Sequence, residues 1–277
     1  MPNIAINGAS LYYQTFGEGE PLVLVHGSWT DHHDWDLVIS GLAKRFRVVC
    51  YDRRGHSQSE STPGPGSLAE DAADLARLIE ALGLQPAHIV GHSYGGVIVL
   101  HLATVRPGLF RTMAVHEAPI FSSFPDDTEL EDLAGRSQRQ LDPVIAALAA
   151  GNYEEGARGF VDDIIFGPGS WDGRLTVPLR RKFIQNAPTF LDEVRDPTRL
   201  ALNLTALAAF ANPAFISYGG RSRGHFPHIT RRLAALLPNA ERHVFEDAAH
   251  VPQVSHPGSF VAALTDFIDR NRSAHRD

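Results

Sequence analysis

The sequence predicts an α/β fold in which a mostly parallel sheet is covered by helices on both faces and interrupted late in the chain by a helical insertion. Three observations predict it. Short continuous apolar runs such as "PLVLVHG", "RVVCYD" and "AHIVGHS" have the length of strands buried on both faces. Segments with apolar residues at helical spacing lie between them. The alternation then stops after Pro119 and resumes with "PAFISYGG".

In order, alternating "ASLYYQTFG" reads as a strand ending in a Gly-rich turn, and "PLVLVHG" as the first buried strand. A helix over "WDLVISGLAKRF" leads to the strand in "RVVCYDRRGHS". The segment "SLAEDAADLARLIEALGL" has a Ser cap, acids in its first turn, helical periodicity and Gly83 near its end, all helix signals. Strand "AHIVGHS", helix "YGGVIVLHLATVRP" and strand "RTMAVHEAP" follow. From about Ile120 to Phe210 the segments "DDTELEDLAGRSQRQLDPVIAALAAG", "EEGARGFVDDIIFG", "PLRRKFIQNAPTFLDEV" and "DPTRLALNLTALAAF" are read as helices, with no convincing strand. Strand "PAFISYGG", helix "HITRRLAALLP", strand "AERHVFEDAAH" and a closing helix "PGSFVAALTDFIDRN" complete the pattern. Sites in such sheets form at the carboxyl ends of the strands. His26, Asp52, Ser93, Glu117, Gly219 and His250 are therefore expected along one edge.

Composition narrows the function classes. The chain has 277 residues, 43% hydrophobic and 21% charged, as in an ordinary globular protein able to bury a large core. Its formal charge of -7, with Lys and Arg scattered, argues against a nucleic-acid partner. The single cysteine, Cys50, lies in an apolar run and is expected to be a buried, inert thiol. No run approaches the ~18 apolar residues of a membrane span, and no basic segment precedes a long apolar stretch at the start, so no membrane partner and a cytoplasmic location are expected.

Two stretches match Gly-x-Ser-x-Gly, "GHSYG" around Ser93 and "GRSRG" around Ser222. A nucleophilic serine needs a sharp strand-to-helix turn that lifts its hydroxyl above the sheet and aims the positive end of the helix at the site. Ser93 has an apolar strand before it and a helix after it. Ser222 is flanked by two arginines, and the segment after it is interrupted by Pro227.

"VLVHGSW", "YDRRGHSQS", "IVGHSYGG" and "FEDAAHVPQVSHP", in that order, make the chain resemble the α/β-hydrolase family over nearly its full length. The resemblance implies an eight-stranded, mostly parallel sheet with a helical cap inserted after the sixth strand: core over 1–119 and 211–277, cap over 120–210. It implies Ser93 as nucleophile and His250, best placed of the 14 histidines, as its base. Backbone N–H groups of Ser28 and Tyr94 would form the oxyanion hole, with Trp29 replacing Ser28 if the loop is shifted by one. His26 is read as a brace for its loop, His92 as packing, and the Arg53-Arg54 turn as structural.

The sequence departs from the family in the triad acid. Most members carry an Asp just after the seventh strand, where this chain has "GGRSRG" and no acid. Some members place the acid after the sixth strand instead, which here offers Glu117; Asp247 competes but lies very close to His250 in sequence. The expected function is a cofactor-independent serine hydrolase acting through an acyl-enzyme on an ester-like, small-molecule substrate. Opening of lactones or hydrolysis of carbon-carbon bonds would use the same site, and the missing usual acid motivates a receptor-like binder with little turnover. Trp29, Phe121, Phe124, Phe166 and Trp171, with Phe160, Ile164 and Phe190, are candidate pocket residues, although such spacing also suits simple core. "DHHDW" has metal-capable side chains but no companion ligands elsewhere, so no metal site is expected.

Overall fold

Eight strands form the sheet: β1 (Asn3–Ile6), β2 (Ala9–Phe16), β3 (Glu20–Val25), β4 (Phe46–Tyr51), β5 (Ala87–His92), β6 (Phe110–His116), β7 (Ala214–Gly219) and β8 (Ala240–Phe245). They lie in the order β1-β2-β4-β3-β5-β6-β7-β8; β1 pairs with β2 and β2 with β4 antiparallel, and the remaining pairs are parallel. The computed structural model describes residues 2–62, 64, 66–124, 126–222 and 225–272. Arg223 and Gly224 of the second Gly-x-Ser-x-Gly match lie outside them.

Side-chain alternation along the central strands divides the core into two layers. Val23, Val25, Ile89 and Val115 face α2 (Leu68–Ala81), α3 (Tyr94–Val105) and α9 (His225–Leu236). Leu22, Leu24, Val48, Cys50 and Val90 face α1 (Asp36–Leu42) and α11 (Pro257–Asn271) on the other side. Burying each large apolar side chain is worth about 1.5–3 kcal/mol, so both layers hold the sheet flat against its helices. Cys50 is fully buried in this core, and burial pushes its thiol up to about 12, which fits the inert reading.

Between β6 and β7 the chain forms α4 (Thr128–Ala149), α5 (Tyr153–Gly159), a π-helical turn (Phe160–Ile165), α6 (Ser170–Gly173), α7 (Val177–Arg195) and α8 (Leu204–Ala208). These helices have a core of their own, built on Val144, Leu148, Phe183, Ala187 and Phe190, into which Trp29 projects from the main fold. The short α10 (Pro252–Ser255) follows β8. No helix among the described residues is long and apolar enough to cross a membrane.

Three local expectations change. The first strand, β1, escapes the sequence reading because it is only four residues long; it is joined to β2 by Asn7 and Gly8, both in the left-handed region (φ 46° and 82°), as a tight hairpin turn requires. The stretch expected as a helix over "DPTRLALNLTALAAF" is helical only at Leu204–Ala208. Asp196 explains this, since its carboxylate takes hydrogen bonds from Leu68 N, Thr198 N and Thr198 Oγ1, offering the backbone an alternative to helix. Pro227 does not interrupt α9, because it occupies the first turn, where proline's missing N–H has no helical partner to lose.

The fold predicts opposite outcomes for two glycines. A Cβ at Gly8 would meet nothing within 4 Å, so Gly8→Ala should cost only backbone strain, about 1 kcal/mol. A Cβ at Gly91 would lie 2.4 Å from the Gly95 carbonyl oxygen, so Gly91→Ala should cost about 3 kcal/mol or more or prevent folding. Urea unfolding of both variants checks the contrast; equal losses would contradict it.

Candidate active site

Ser93 sits between the end of β5 and the start of α3 with φ 53° and ψ -122°, a conformation sparsely populated by residues with side chains. The turn is locked from both sides. Ser93 N donates to His116 O (2.9 Å), and Ser93 O accepts from Gly96 N (2.9 Å). The side chain thus stands at the N-terminal end of a twelve-residue helix, where partial positive charge accumulates.

His250 follows β8, and its Nδ1 lies 2.6 Å from Glu117 Oε2. Glu117 immediately follows β6, is 2% exposed, and also has left-handed backbone (φ 50°). Its second oxygen, Oε1, accepts from Gly219 N at 2.8 Å. Burial alone would raise the Glu117 carboxyl, but the His250 hydrogen bond and charge, with His116 beside them, hold it down at about 2. An ionised carboxylate only accepts hydrogen bonds, so Nδ1 of His250 carries the proton and Nε2 keeps its lone pair. Burial lowers the His250 pKa below the ordinary imidazole value, against the opposing pull of Glu117. Asp247, the competing acid, is 75% exposed and paired with Arg221 (3.0 Å).

Several neighbours were not assigned from sequence. His92, expected only to pack, has Nε2 2.7 Å from the His250 carbonyl oxygen and so ties the His250 loop to β5. Phe226, in the first turn of α9, stacks on the His250 ring at 5.1 Å. His116 Nδ1 lies 3.0 Å from Ser217 Oγ, and burial pushes its pKa down to about 3. His92 and His116 end adjacent strands, so their positions were visible in sequence; the partner of Phe226 was not.

The loop after β3 is braced as the reading of His26 anticipates. Arg53 N donates to His26 Nε2 (3.0 Å), which leaves Nδ1 to donate to Gly27 O (2.8 Å). Arg53 Nη2 donates to the same carbonyl at 3.2 Å. A trans peptide points its C=O and N–H in opposite directions, so fixing the Gly27 oxygen fixes the direction of Ser28 N–H. A Cβ on Gly27 would lie 3.1 Å from Ser93 Cβ, which puts this peptide against the candidate nucleophile. Trp29 has φ 69°, is fully buried, and has its carbonyl held by Asn186 Nδ2 (3.2 Å).

Residues 20–257 match the family model described as alpha/beta hydrolase fold. The chain belongs to this family. It is 26% identical over 275 residues to the pimeloyl-[acyl-carrier protein] methyl ester esterase of Aliivibrio fischeri, covering 95% of this chain and 98% of that one. It is 36% identical over 110 residues to the (E)-2-((N-methylformamido)methylene)succinate hydrolase of Acinetobacter baylyi, covering 39% of this chain and only 41% of that one. The enol-lactonase from Burkholderia xenovorans LB400 shares the fold with a TM-score of 0.78 at 21% identity, over 97% of this chain and 100% of that one. Family membership and an esterase relative matched over nearly its whole length make the chain a hydrolase.

Within this α/β-hydrolase the aromatic residues expected to line a pocket are mostly packing. Trp29 and Trp171 are closed off in the core of the inserted helices, with Phe166 partly buried against them. Phe121 and Phe124 belong to the main core. A cavity of about 290 Å³ opens instead between the turn at Arg53–His56, the start of α2, and α7; Tyr94, Asp71 and Glu193 line it. Asp31, His32 and His33 bring ligand atoms within 4.8 Å of one another. Asp31 is already engaged by Lys182 Nζ (2.6 Å) and Ser57 Oγ (2.7 Å), and His32 Nδ1 by Asp52 (2.6 Å), so protein groups occupy these donors.

Titration of His250 tests this electrostatic picture directly. Followed by NMR, its ring should protonate only below the ordinary value of 6.5. Glu117→Gln should move the midpoint lower still, because the hydrogen bond and charge of Glu117 favour the protonated ring. An upward shift in that variant would contradict the assignment.

Proposed function

We propose that the protein is a serine hydrolase that cleaves an ester-like carbonyl compound through an acyl-enzyme. Ser93 Oγ attacks the carbonyl carbon while His250 Nε2 takes its proton. The negative charge that develops on the carbonyl oxygen is received by the N–H groups of Ser28 and Tyr94, and Tyr94 N–H is the first of α3, with no partner inside the helix. Glu117 holds His250 in the tautomer that can accept and stabilises the imidazolium once formed. His250 then gives the proton to the leaving group, and water, activated by the same histidine, releases the acid.

The observation that carries this reading is the Glu117 carboxylate, bonded on one oxygen to His250 Nδ1 and on the other to Gly219 N. It supplies the acid that is absent after β7, and it weakens the receptor-like alternative, whose motive was that absence. The methyl ester esterase among the relatives supports carboxylic ester chemistry. The inserted helices serve as a cap over a small-molecule substrate. Lactones and carbon-carbon bonds adjacent to a carbonyl remain chemistries of the same constellation, to be read from a substrate panel.

Hydrolysis of short and medium acyl p-nitrophenyl esters should fall at least about 10³-fold in Ser93→Ala, and by about 10²- to 10⁴-fold in Glu117→Gln, where the histidine loses its orienting charge. Ser222→Ala should lose no more than a few-fold, since Ser222 takes no part in the bonds that join Glu117 to His250 and Gly219. A serine-directed phosphonate should label Ser93, located by peptide mass mapping. Full activity in Ser93→Ala would sink the proposal.

A further inference from the structure

Helix α7 touches four consecutive residues of the loop that carries the candidate oxyanion donor. Ser28 Oγ donates to Glu193 Oε2 (2.5 Å). Trp29 packs its ring against Phe160 and Phe190 (centroids 4.7 Å from each) and Phe183 (6.1 Å). Asn186 Nδ2 donates to the carbonyls of Trp29 (3.2 Å) and Thr30 (3.0 Å), and Lys182 Nζ to Asp31 (2.6 Å). Phe183, Asn186, Phe190 and Glu193 are spaced three, four and three residues apart, so they form one stripe along α7. That stripe lies on the loop. The left-handed φ of Trp29, 69°, is a conformation that a bulky residue keeps only where its surroundings enforce it.

Glu193 reaches the same peptide by a second route. Its Oε1 accepts from Arg53 Nη2 (2.5 Å), and that nitrogen also donates to Gly27 O (3.2 Å). Arg53 is 1% exposed and also binds Asp71 (3.0 Å). A lone carboxylate this near a forming oxyanion would oppose it by charge. Paired with Arg53, it becomes one end of a relay whose other end pulls on the Gly27 carbonyl, which strengthens the opposite N–H of that peptide as a donor.

We propose that Glu193 is a positioning residue for the oxyanion hole: through Ser28 Oγ and through Arg53 it fixes the Gly27–Ser28 peptide whose N–H receives the developing negative charge. The inserted helices thereby help to build the catalytic machinery as well as cover it. This inference rests on the assignment of Ser93 and Ser28 made above.

The test uses the full chain as wild type, Glu193→Ala, Glu193→Gln, Ser28→Ala and the Ser28→Ala/Glu193→Ala double variant, with Ser93→Ala alongside. Turnover of an activated ester gives kcat and KM, and a trifluoromethyl ketone of matching acyl chain probes the oxyanion geometry. Glu193→Ala should lower kcat about 10- to 100-fold, less than outright loss of a donor, with KM within about threefold, and should weaken the ketone by the same factor. Glu193→Gln, whose side-chain oxygen still accepts from Ser28, should recover part of the loss. The double variant should be no worse than Glu193→Ala alone, because the Ser28 hydroxyl acts only through its bond to Glu193. A kcat within twofold of wild type in Glu193→Ala, a loss confined to KM, or losses that multiply in the double variant would each overturn the inference. If Glu193→Ala does not fold, Ser28→Ala decides: lowered kcat at retained KM supports the inference, and unchanged kcat overturns it. Activity surviving in Ser93→Ala would instead remove the hydrolase reading on which it rests.

Discussion

The hydrogen bond between His250 and Glu117 is the constraint on which the remainder of the site depends, because it joins the ends of two strands that are not neighbours. β7 lies between β6 and β8, so the link must pass over the end of β7. The backbone there is two glycines. A Cβ on Gly219 would lie 2.6 Å from the carbonyl oxygens of Ala248 and Ala249, and one on Gly220 2.5 Å from that of Glu246. The His250 loop therefore rides directly on bare backbone, and Gly219 N is free to bond Glu117. Gly219 and Gly220 thus form the low saddle across which a more distant carboxylate reaches the histidine.

A buried carboxylate and several buried histidines must be balanced in charge, since an unpaired charge in the interior costs several kcal/mol. The balance is asymmetric. Around His250, burial lowers the pKa values of His116 and His250 itself, so the charge on Glu117 is answered by hydrogen bonds and by a ring that becomes cationic only transiently. Around the Gly27 carbonyl the permanent cation is Arg53, which burial disfavours but Asp71 and Glu193 sustain. Arg53 in turn helps keep its neighbours His26 and His56 neutral. Burial pushes Asp71 up to about 7 even beside Arg53. Under the proposed mechanism the two halves of the site divide the work: one keeps an acceptor neutral, and the other keeps a donor polarised.

Much of this was legible in the sequence, and what was not has physical reasons. The buried strands and α2 declared themselves through apolar runs and a Ser67 cap whose side chain accepts from Glu70 N. The placement of Ser93, Glu117 and His250 along one edge was legible because each follows a strand that parallel topology brings there. β1 was missed although Asn7-Gly8 is a strong hairpin signal, since four residues carry too little periodicity. The aromatic residues failed as a pocket for the opposite reason: helical periodicity reports that a side chain is covered without saying by what. The Arg53 turn was read as structural, but the contacts of Glu193 and Arg53 were out of reach, because their partners are 165 and 26 residues away in sequence and no local pattern announces them.

Backbone conformation gives the last step. Among the described residues, five that are not glycine have positive φ: Asn7, Trp29, Ser57, Ser93 and Glu117. Asn7 is in a hairpin, where asparagine meets the demand at little cost. The other four lie in the loops at the candidate site or beneath α7, where Ser57 N bonds Asn186 Oδ1 (2.9 Å). Strain of this kind costs about 1–3 kcal/mol per residue and is ordinarily relieved by glycine. At Ser93 and Glu117 glycine would remove the proposed nucleophile and the carboxylate bonded to His250, and at Trp29 it would remove the ring that anchors the loop to α7. The strain persists where the side chain cannot be given up, and that coincidence ties the catalytic reading of Ser93 and Glu117 to the positioning role of α7.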